Sequence, residues 1–169
     1  MYKPKTIGQK WQQQPKLLLH QALDKAQPGD VVVVDAGGAM NTAIIGAMMS
    51  SYAKTRGIEA IIIDGAIRDV EELAKVDFPV VARGVTPNGP FKSGPGEIGY
   101  PIACGGLSIA SGDLLIGDPD GVLVVPISEV AEILKLAKAK HALEQQWEKE
   151  IMAGTWDRKW VEEAIDKLA

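Results

Sequence analysis

The sequence predicts an α/β fold, and three observations carry that prediction. Val31-Val32-Val33-Val34 and Ala60-Ile61-Ile62-Ile63 are unbroken apolar runs of the kind found in strands covered on both faces. Between them, Ile44, Ile45, Met48, Met49 and Tyr52 recur at helical spacing up to Arg56-Gly57. Strand, helix and strand in so short a span call for a crossover with parallel pairing. A chain of 169 residues with 46% apolar composition can bury one core, so residues 1–169 read as a single domain.

Each element follows in order. Met1 to Gln14 is polar with little periodicity, whereas Pro15 to Ala26 reads as a short helix with Leu18, Leu19, Ala22 and Leu23 on one side. Pro28-Gly29-Asp30 turns the chain into the first valine run. Asp35-Ala36-Gly37-Gly38 reads as a glycine loop, with the helix from Asn41 beyond it. Asp64-Gly65 ends the second strand, Asp69 to Ala74 makes a helical turn, and Val80 to Ala82 is a third strand. The glycine- and proline-rich stretch from Gly84 to Gly99 is a loop of the kind that lies over a site or an interface. Leu107 to Ala110, Leu114 to Ile116 and Val122 to Val125 read as antiparallel strands, the last two joined by a turn at Asp118-Pro119-Asp120-Gly121. From Ser128 a long helix is expected with Val130, Ile133, Leu134 and Ala137 inward, leaving Trp147 isolated among charges. A final helix carries the stripe Trp156, Trp160, Val161, Ala164, Ile165 and Leu168. Three of the four tryptophans lie in this 128–169 tail, which suits a contact between copies of the chain.

Composition excludes several functions. A net charge of −4 with mixed signs lacks the basic footprint of direct nucleic-acid binding. No window is long and apolar enough to span a membrane, and the start has no apolar leader core. Cys104 is the only cysteine, which excludes an intrachain disulfide and a thiolate cluster and fits a reducing, cytoplasmic setting. Its apolar neighbours mark it as a buried, inert thiol. His20 and His141 stand singly on helices and read as surface residues, because histidine metal sites need convergent partners.

Residues after both parallel strands converge at one sheet edge, where open α/β sheets commonly bind ligands. Arg68 and Asp69 stand there side by side. Arginine takes a carboxylate through two parallel hydrogen bonds, and aspartate can hold a hard divalent cation that keeps most of its waters. Together they suit a 2-oxo acid bound to a metal. A helix cap with a surface ion pair is the plainer reading of the same dipeptide.

The stretch from Arg56 to Asp69, ending Asp64-Gly65-Ala66-Ile67-Arg68-Asp69, resembles the signature of the 4-hydroxy-4-methyl-2-oxoglutarate aldolases, the class II pyruvate aldolases, and their RraA-type relatives. The likeness covers about Leu19 to Pro126. It includes Pro28-Gly29-Asp30, Asp35-Ala36-Gly37-Gly38, Thr86-Pro87-Asn88-Gly89-Pro90, Gly94-Pro95-Gly96-Glu97, Gly112-Asp113 and Gly117-Asp118-Pro119-Asp120-Gly121-Val122. The resemblance implies a swivelling β/β/α-type domain with a mixed parallel and antiparallel sheet and C-terminal helices. It also implies homotrimers or homohexamers with active sites between subunits. It assigns Arg68 to the pyruvyl carboxylate, Asp69 to Mg2+ or Mn2+, and the backbone amides of Gly46, Ala47, Met48 and Met49 to the carboxylate cradle. The implied activity is a metal-dependent lyase of the aldolase and oxaloacetate decarboxylase type, releasing pyruvate through a stabilised enolate. RraA-type relatives imply another role, a non-catalytic regulator docking on a ribonuclease. The menaquinone methyltransferase label attached to some such sequences finds no support in the Gly37-Gly38 turn, which lacks a nucleotide-type glycine pattern.

Two departures from the family pattern bear on function. Its aldolases carry an acid where Ala47 stands, separated from Arg68 by twenty residues. That acid orders water for proton transfer, so its loss should weaken aldol cleavage, while decarboxylation of oxaloacetate, which removes no hydroxyl proton, suffers less. A further acid comes from the adjoining subunit's C-terminal helix, and Glu144 matches it best by spacing, with Glu148 next. The family's first strand segment is absent or altered at Met1 to Lys16, which reads as a divergent or truncated start.

Overall fold

The computed structural model describes residues 7–9, 16–90 and 96–168. The Gly94-Pro95 step of the loop motif and most of the polar start lie outside the described residues. The chain divides into two compact units, Met1–Ile127 and Ser128–Ala169.

The first unit is built on a four-stranded, wholly parallel sheet in the order β1-β2-β3-β4, formed by Ile7–Gln9, Val31–Ala43, Ala60–Ile67 and Val80–Val85. Strand alternation sends successive side chains to opposite faces. Val32, Val34, Ile61 and Ile63 therefore join Leu19 and Leu23 of α1 (Lys16–Lys25) and Met49 and Ala53 of α2 (Ala47–Thr55) in one core. Val33 and Ile62 point the other way, into a second core with Ile102, Cys104 and Ile109. That core is closed by two antiparallel hairpins, β5-β6 (Ile102–Cys104, Leu107–Ile109) and β7-β8 (Leu114–Asp118, Gly121–Val125). Helices, parallel sheet and hairpins thus form the three layers that a continuous β-branched run, buried on both faces, requires.

The fold class is as expected, and several boundaries are not. The antiparallel strands form hairpins of their own instead of extending the parallel sheet. Edge strand β1 was not announced by the polar start; it pairs Ile7, Gly8 and Gln9 with Val32, Val33 and Val34. Strand β2 runs through the expected glycine loop to Ala43, so α2 begins at Ala47 rather than Asn41. Register shifts after Asp35 and Ala39 absorb the irregularity, helped by Gly37 and Gly38 at φ +60° and +72°. Strand β3 likewise continues past Asp64-Gly65 to Ile67. A Cβ at Gly65 would lie 2.8 Å from that of Ala36, so glycine lets the two strands stay close at their shifted ends. Helix α3 occupies Val70–Val76.

The second unit comprises α4 (Val130–Met152) and α5 (Lys159–Asp166), neither with a buried residue. Val130, Ile133, Leu134 and Ala137 are accordingly not core residues of this chain. Trp147 is not isolated: its ring lies 6.4 Å from Trp156, and the Lys140 ammonium sits 4.5 Å above it. No described helix is long and apolar enough to cross a membrane.

Candidate functional site

The ends of β2 and β3 deliver the site. Ile44 N–H donates to the Ala66 carbonyl and Arg68 N–H to the Ile45 carbonyl, which binds the approach to α2 against the exit of β3. Asp69 caps α3 at φ +60°, ψ +42°, a left-handed conformation uncommon for a residue with a side chain. Its carboxylate makes no capping bond to α3. It turns instead to the start of α2, where Oδ2 accepts from Ala47 N–H at 3.3 Å and lies 3.6 Å from Arg68 Nε. Gly46 makes this approach feasible, because a Cβ there would stand 2.1 Å from Asp69 Oδ2 and 3.1 Å from Arg68 Cγ.

A cavity of about 70 Å³ is lined by Ile44, Ile45, Gly46, Met48, Met49, Arg68, Asp69 and Pro90. The structure thus brings together Gly46, Met48, Met49, Arg68 and Asp69. Ala47 adds its amide, while its side chain packs against the helix-side core. The amide assigned to a ligand carboxylate is therefore engaged by Asp69 in this arrangement. Glu144 belongs to the second unit, where it is exposed and pairs with Lys140 at 3.6 Å; Glu148 is on the same helix.

Among the described residues no three His, Cys, Asp or Glu side chains converge as a metal cage. The donor set at the site is one partly exposed carboxylate at a helix start, beside a guanidinium. That set fits a hard divalent cation that keeps waters and takes its remaining ligands from a bound oxo acid, and it does not fit a tightly caged zinc.

Three features escaped sequence reasoning. Asn88, in the loop after β4, donates from Nδ2 to the Asn41 carbonyl at 3.0 Å and accepts at its own carbonyl from Ala43 N–H. The neighbouring Gly89 lies so near Arg68 that a Cβ would be 3.3 Å from Nη1. On the hairpin side of the sheet, buried Asp64 accepts from Arg83 Nε and from Gly105 N–H in a cavity of about 410 Å³. The Arg83 hydrogen bond holds the Asp64 carboxyl below its ordinary range, and burial pushes the Cys104 thiol up to about 11. Cys104 is buried, as expected. On the helix side, His20 is exposed as expected, yet it lines a third cavity of about 440 Å³ with Asp24, Met48, Met49 and Tyr52. These pairs are 19 to 47 residues apart, and no local spacing announces them.

Comparison with known proteins identifies the family. The model of the RraA-like family, described as Aldolase/RraA, matches residues 6–124. A Halalkalibacterium halodurans protein, provisionally named as a 4-hydroxy-4-methyl-2-oxoglutarate aldolase, is 42% identical over 135 residues, covering 80% of this chain and 64% of that one. The 4-hydroxy-4-methyl-2-oxoglutarate aldolase of Thermus thermophilus is 34% identical over 109 residues, covering 64% of this chain and 66% of that one. The chain thus spans slightly under two thirds of the length of both curated relatives. The crystal structure of Streptomyces coelicolor RraAS2, described as an unusual member of the RNase ES inhibitor RraA family, superimposes with a TM-score of 0.77 at 33% identity, covering 85% of this chain and 74% of that one. With the family model matching well over half of its residues, this chain belongs to the RraA-like (Aldolase/RraA) family.

Proposed function

We propose that the protein is a divalent-metal-dependent lyase acting on small 2-oxo acids, with Mg2+ or Mn2+ at Asp69. The observation that carries this reading is the meeting of the Arg68 guanidinium and the Asp69 carboxylate at one cavity against the start of α2. Arg68 would hold the substrate carboxylate through paired hydrogen bonds. Asp69 would turn from the Ala47 amide toward the cation, returning that amide and its helix N-terminus to the substrate's negative charge. A bound divalent cation supplies Lewis-acid polarisation of the 2-oxo group. The chain contributes orientation: Gly46 leaves room for the two side chains to lie close, and Gly89 comes near the Arg68 guanidinium.

The side chain of Ala47 accepts no proton. Oxaloacetate decarboxylation, which leaves no hydroxyl to deprotonate, is therefore the favoured reaction over aldol cleavage. The test is pyruvate release from oxaloacetate with added Mg2+, comparing the wild type with Arg68→Ala and Asp69→Ala. Equal rates in all three, at the level of free metal, would remove the enzyme reading. Ala47→Glu should raise aldol cleavage by roughly 10²-fold or more, the usual contribution of a positioned acid–base group.

We further propose that copies of the chain associate as trimers or hexamers, with Glu144 offered across the contact. Trp160, Ile165, Leu134 and Met152 are all exposed in the isolated chain, which supports such a contact. A second reading is favoured by the absent acid at Ala47 and the likeness to RraAS2: a non-catalytic protein that binds a ribonuclease. Co-purification with a ribonuclease, together with no binding of oxalate in the presence of Mg2+, would select it.

A further inference from the structure

The loop that leaves β4 is tied to the parallel sheet at two points near Arg68. Thr86 N–H donates to the Ile67 carbonyl at 2.9 Å, one residue before the arginine. Asn88 is fastened twice to the end of β2: its Nδ2 donates to the Asn41 carbonyl at 3.0 Å, and its own carbonyl accepts from Ala43 N–H at 2.8 Å. Gly89 follows directly, and a Cβ there would lie 3.3 Å from Arg68 Nη1. Pro90 then lines the cavity that Arg68 and Asp69 share. Having no side chain of its own to anchor it, Gly89 stands where its chain neighbours put it. We propose that Asn88 is a positioning residue for Arg68: its double attachment to β2 seats Gly89 beside the guanidinium and so sets the plane in which Arg68 receives a substrate carboxylate.

An arginine makes two parallel bonds to a carboxylate only when its planar fork is presented in one orientation. The Arg68 side chain is partly exposed, and Asp69 Oδ2 borders it at Nε, 3.6 Å away. Gly89 borders the opposite end, at Nη1. A guanidinium bordered at both ends has fewer orientations to lose when a ligand binds. Asn88 itself is exposed and belongs to neither core, so its side-chain bond bears on where the loop sits and not on packing. A carboxylate is held alike before and during the reaction, so a misdirected Arg68 weakens binding without slowing the chemical step.

The role assigned to Asn88 rests on the oxo-acid reading above, and kinetics distinguish the failure of one from the failure of the other. Mg2+-supported oxaloacetate decarboxylation is measured for the wild type, Asn88→Ala and Gly89→Ala, each also combined with Arg68→Lys, beside thermal melts. Asn88→Ala should raise KM roughly threefold to tenfold, the worth of one net hydrogen bond, with kcat within about twofold. Gly89 lies outside the left-handed backbone region, so Gly89→Ala is free of strain; it crowds Nη1 directly and should raise KM in the same sense. Arg68→Lys leaves no fork to orient, and in that background both substitutions should change KM by less than about twofold. An unchanged KM in Asn88→Ala, a fall in kcat matched by a large drop in melting temperature, or the same rise in KM beside Arg68→Lys overturns the positioning role alone. Wild-type turnover no faster than with free Mg2+ overturns the oxo-acid reading and the positioning role with it.

Discussion

Replacing Gly46 by alanine isolates the geometry of the site from the stability of the fold. Gly46 sits at φ −146°, ψ −165°, extended backbone open to any residue, so alanine brings no backbone strain. What it brings is a methyl 2.1 Å from Asp69 Oδ2, 3.0 Å from Asp69 Cγ and 3.1 Å from Arg68 Cγ. All three atoms belong to side chains that are 39% and 41% exposed, so they can swing away instead of forcing the helix to move. Exchanging glycine for alanine at a helix N-cap and losing one half-exposed hydrogen bond should together cost about 1 kcal/mol. That cost corresponds to a melting shift of about 2–4 °C for a chain of this size. The same methyl must displace the Asp69 carboxylate by more than 1 Å to reach ordinary contact, a misplacement that typically lowers turnover about 10²-fold. The assay is kcat/KM for Mg2+-supported oxaloacetate decarboxylation, read beside a thermal melt. Activity retained within twofold would refute the placement of Asp69, and a melting shift above about 10 °C would show that Gly46 serves packing instead.

Arg68→Lys should raise KM with little change in kcat, because an ammonium keeps the charge and loses the paired bond; about 1.5–3 kcal/mol is at stake, read from steady-state kinetics. Asp64 supplies a pH test: its folded-state pKa is lowered by Arg83, so the pair contributes stability above the unfolded carboxylate value near 3.8 and loses it as pH falls through the depressed folded value. Urea denaturation of the wild type and Arg83→Gln should differ at pH 7 and converge toward pH 2; a constant difference would refute the link. Cys104, raised from 9.0 to about 11, should carry roughly a hundredfold less thiolate than a free thiol at pH 8, so iodoacetamide should label it slowly in the folded protein and quickly in urea.

What the sequence revealed was what repeats locally. Four consecutive valines and the Ala60 to Ile63 run announce buried parallel strands, and the Met48, Met49 and Tyr52 spacing announces a helix. The same logic misplaced the start of α2. Asp35 to Gly38 reads as a loop when taken alone, yet neighbouring β3 supplies partners that hold it in the sheet through register shifts. Strand β1 was hidden for a related reason, since a three-residue edge strand gets its pairing from β2 and needs no pattern of its own. Arg68 and Asp69 were legible because they are adjacent in the chain. Asp64 with Arg83, Asn88 with Asn41, and Tyr52 with Asp24 were not, because each bond joins separate elements. Trp147 looked stranded because its partners lie two helical turns back, at Lys140, and beyond the end of α4, at Trp156.

On the proposed reading, binding and proton transfer fall to different parts of this scaffold. The binding half is fixed by backbone: the bond from Arg68 N–H to the Ile45 carbonyl and the closeness allowed by Gly46 hold guanidinium and carboxylate together whatever stands at position 47. The proton-transfer half needs an acid–base side chain beside that space, and position 47 carries only a methyl, packed against the helix-side core. Tyr52 does not restore it, because the Asp24 bond strengthens the phenol's hold on its proton at neutral pH. Such a site should therefore bind 2-oxo acids and favour loss of carbon dioxide, while reactions that must first remove a hydroxyl proton lag. A scaffold with that division of labour can drift between enzyme and binding protein through one residue on α2.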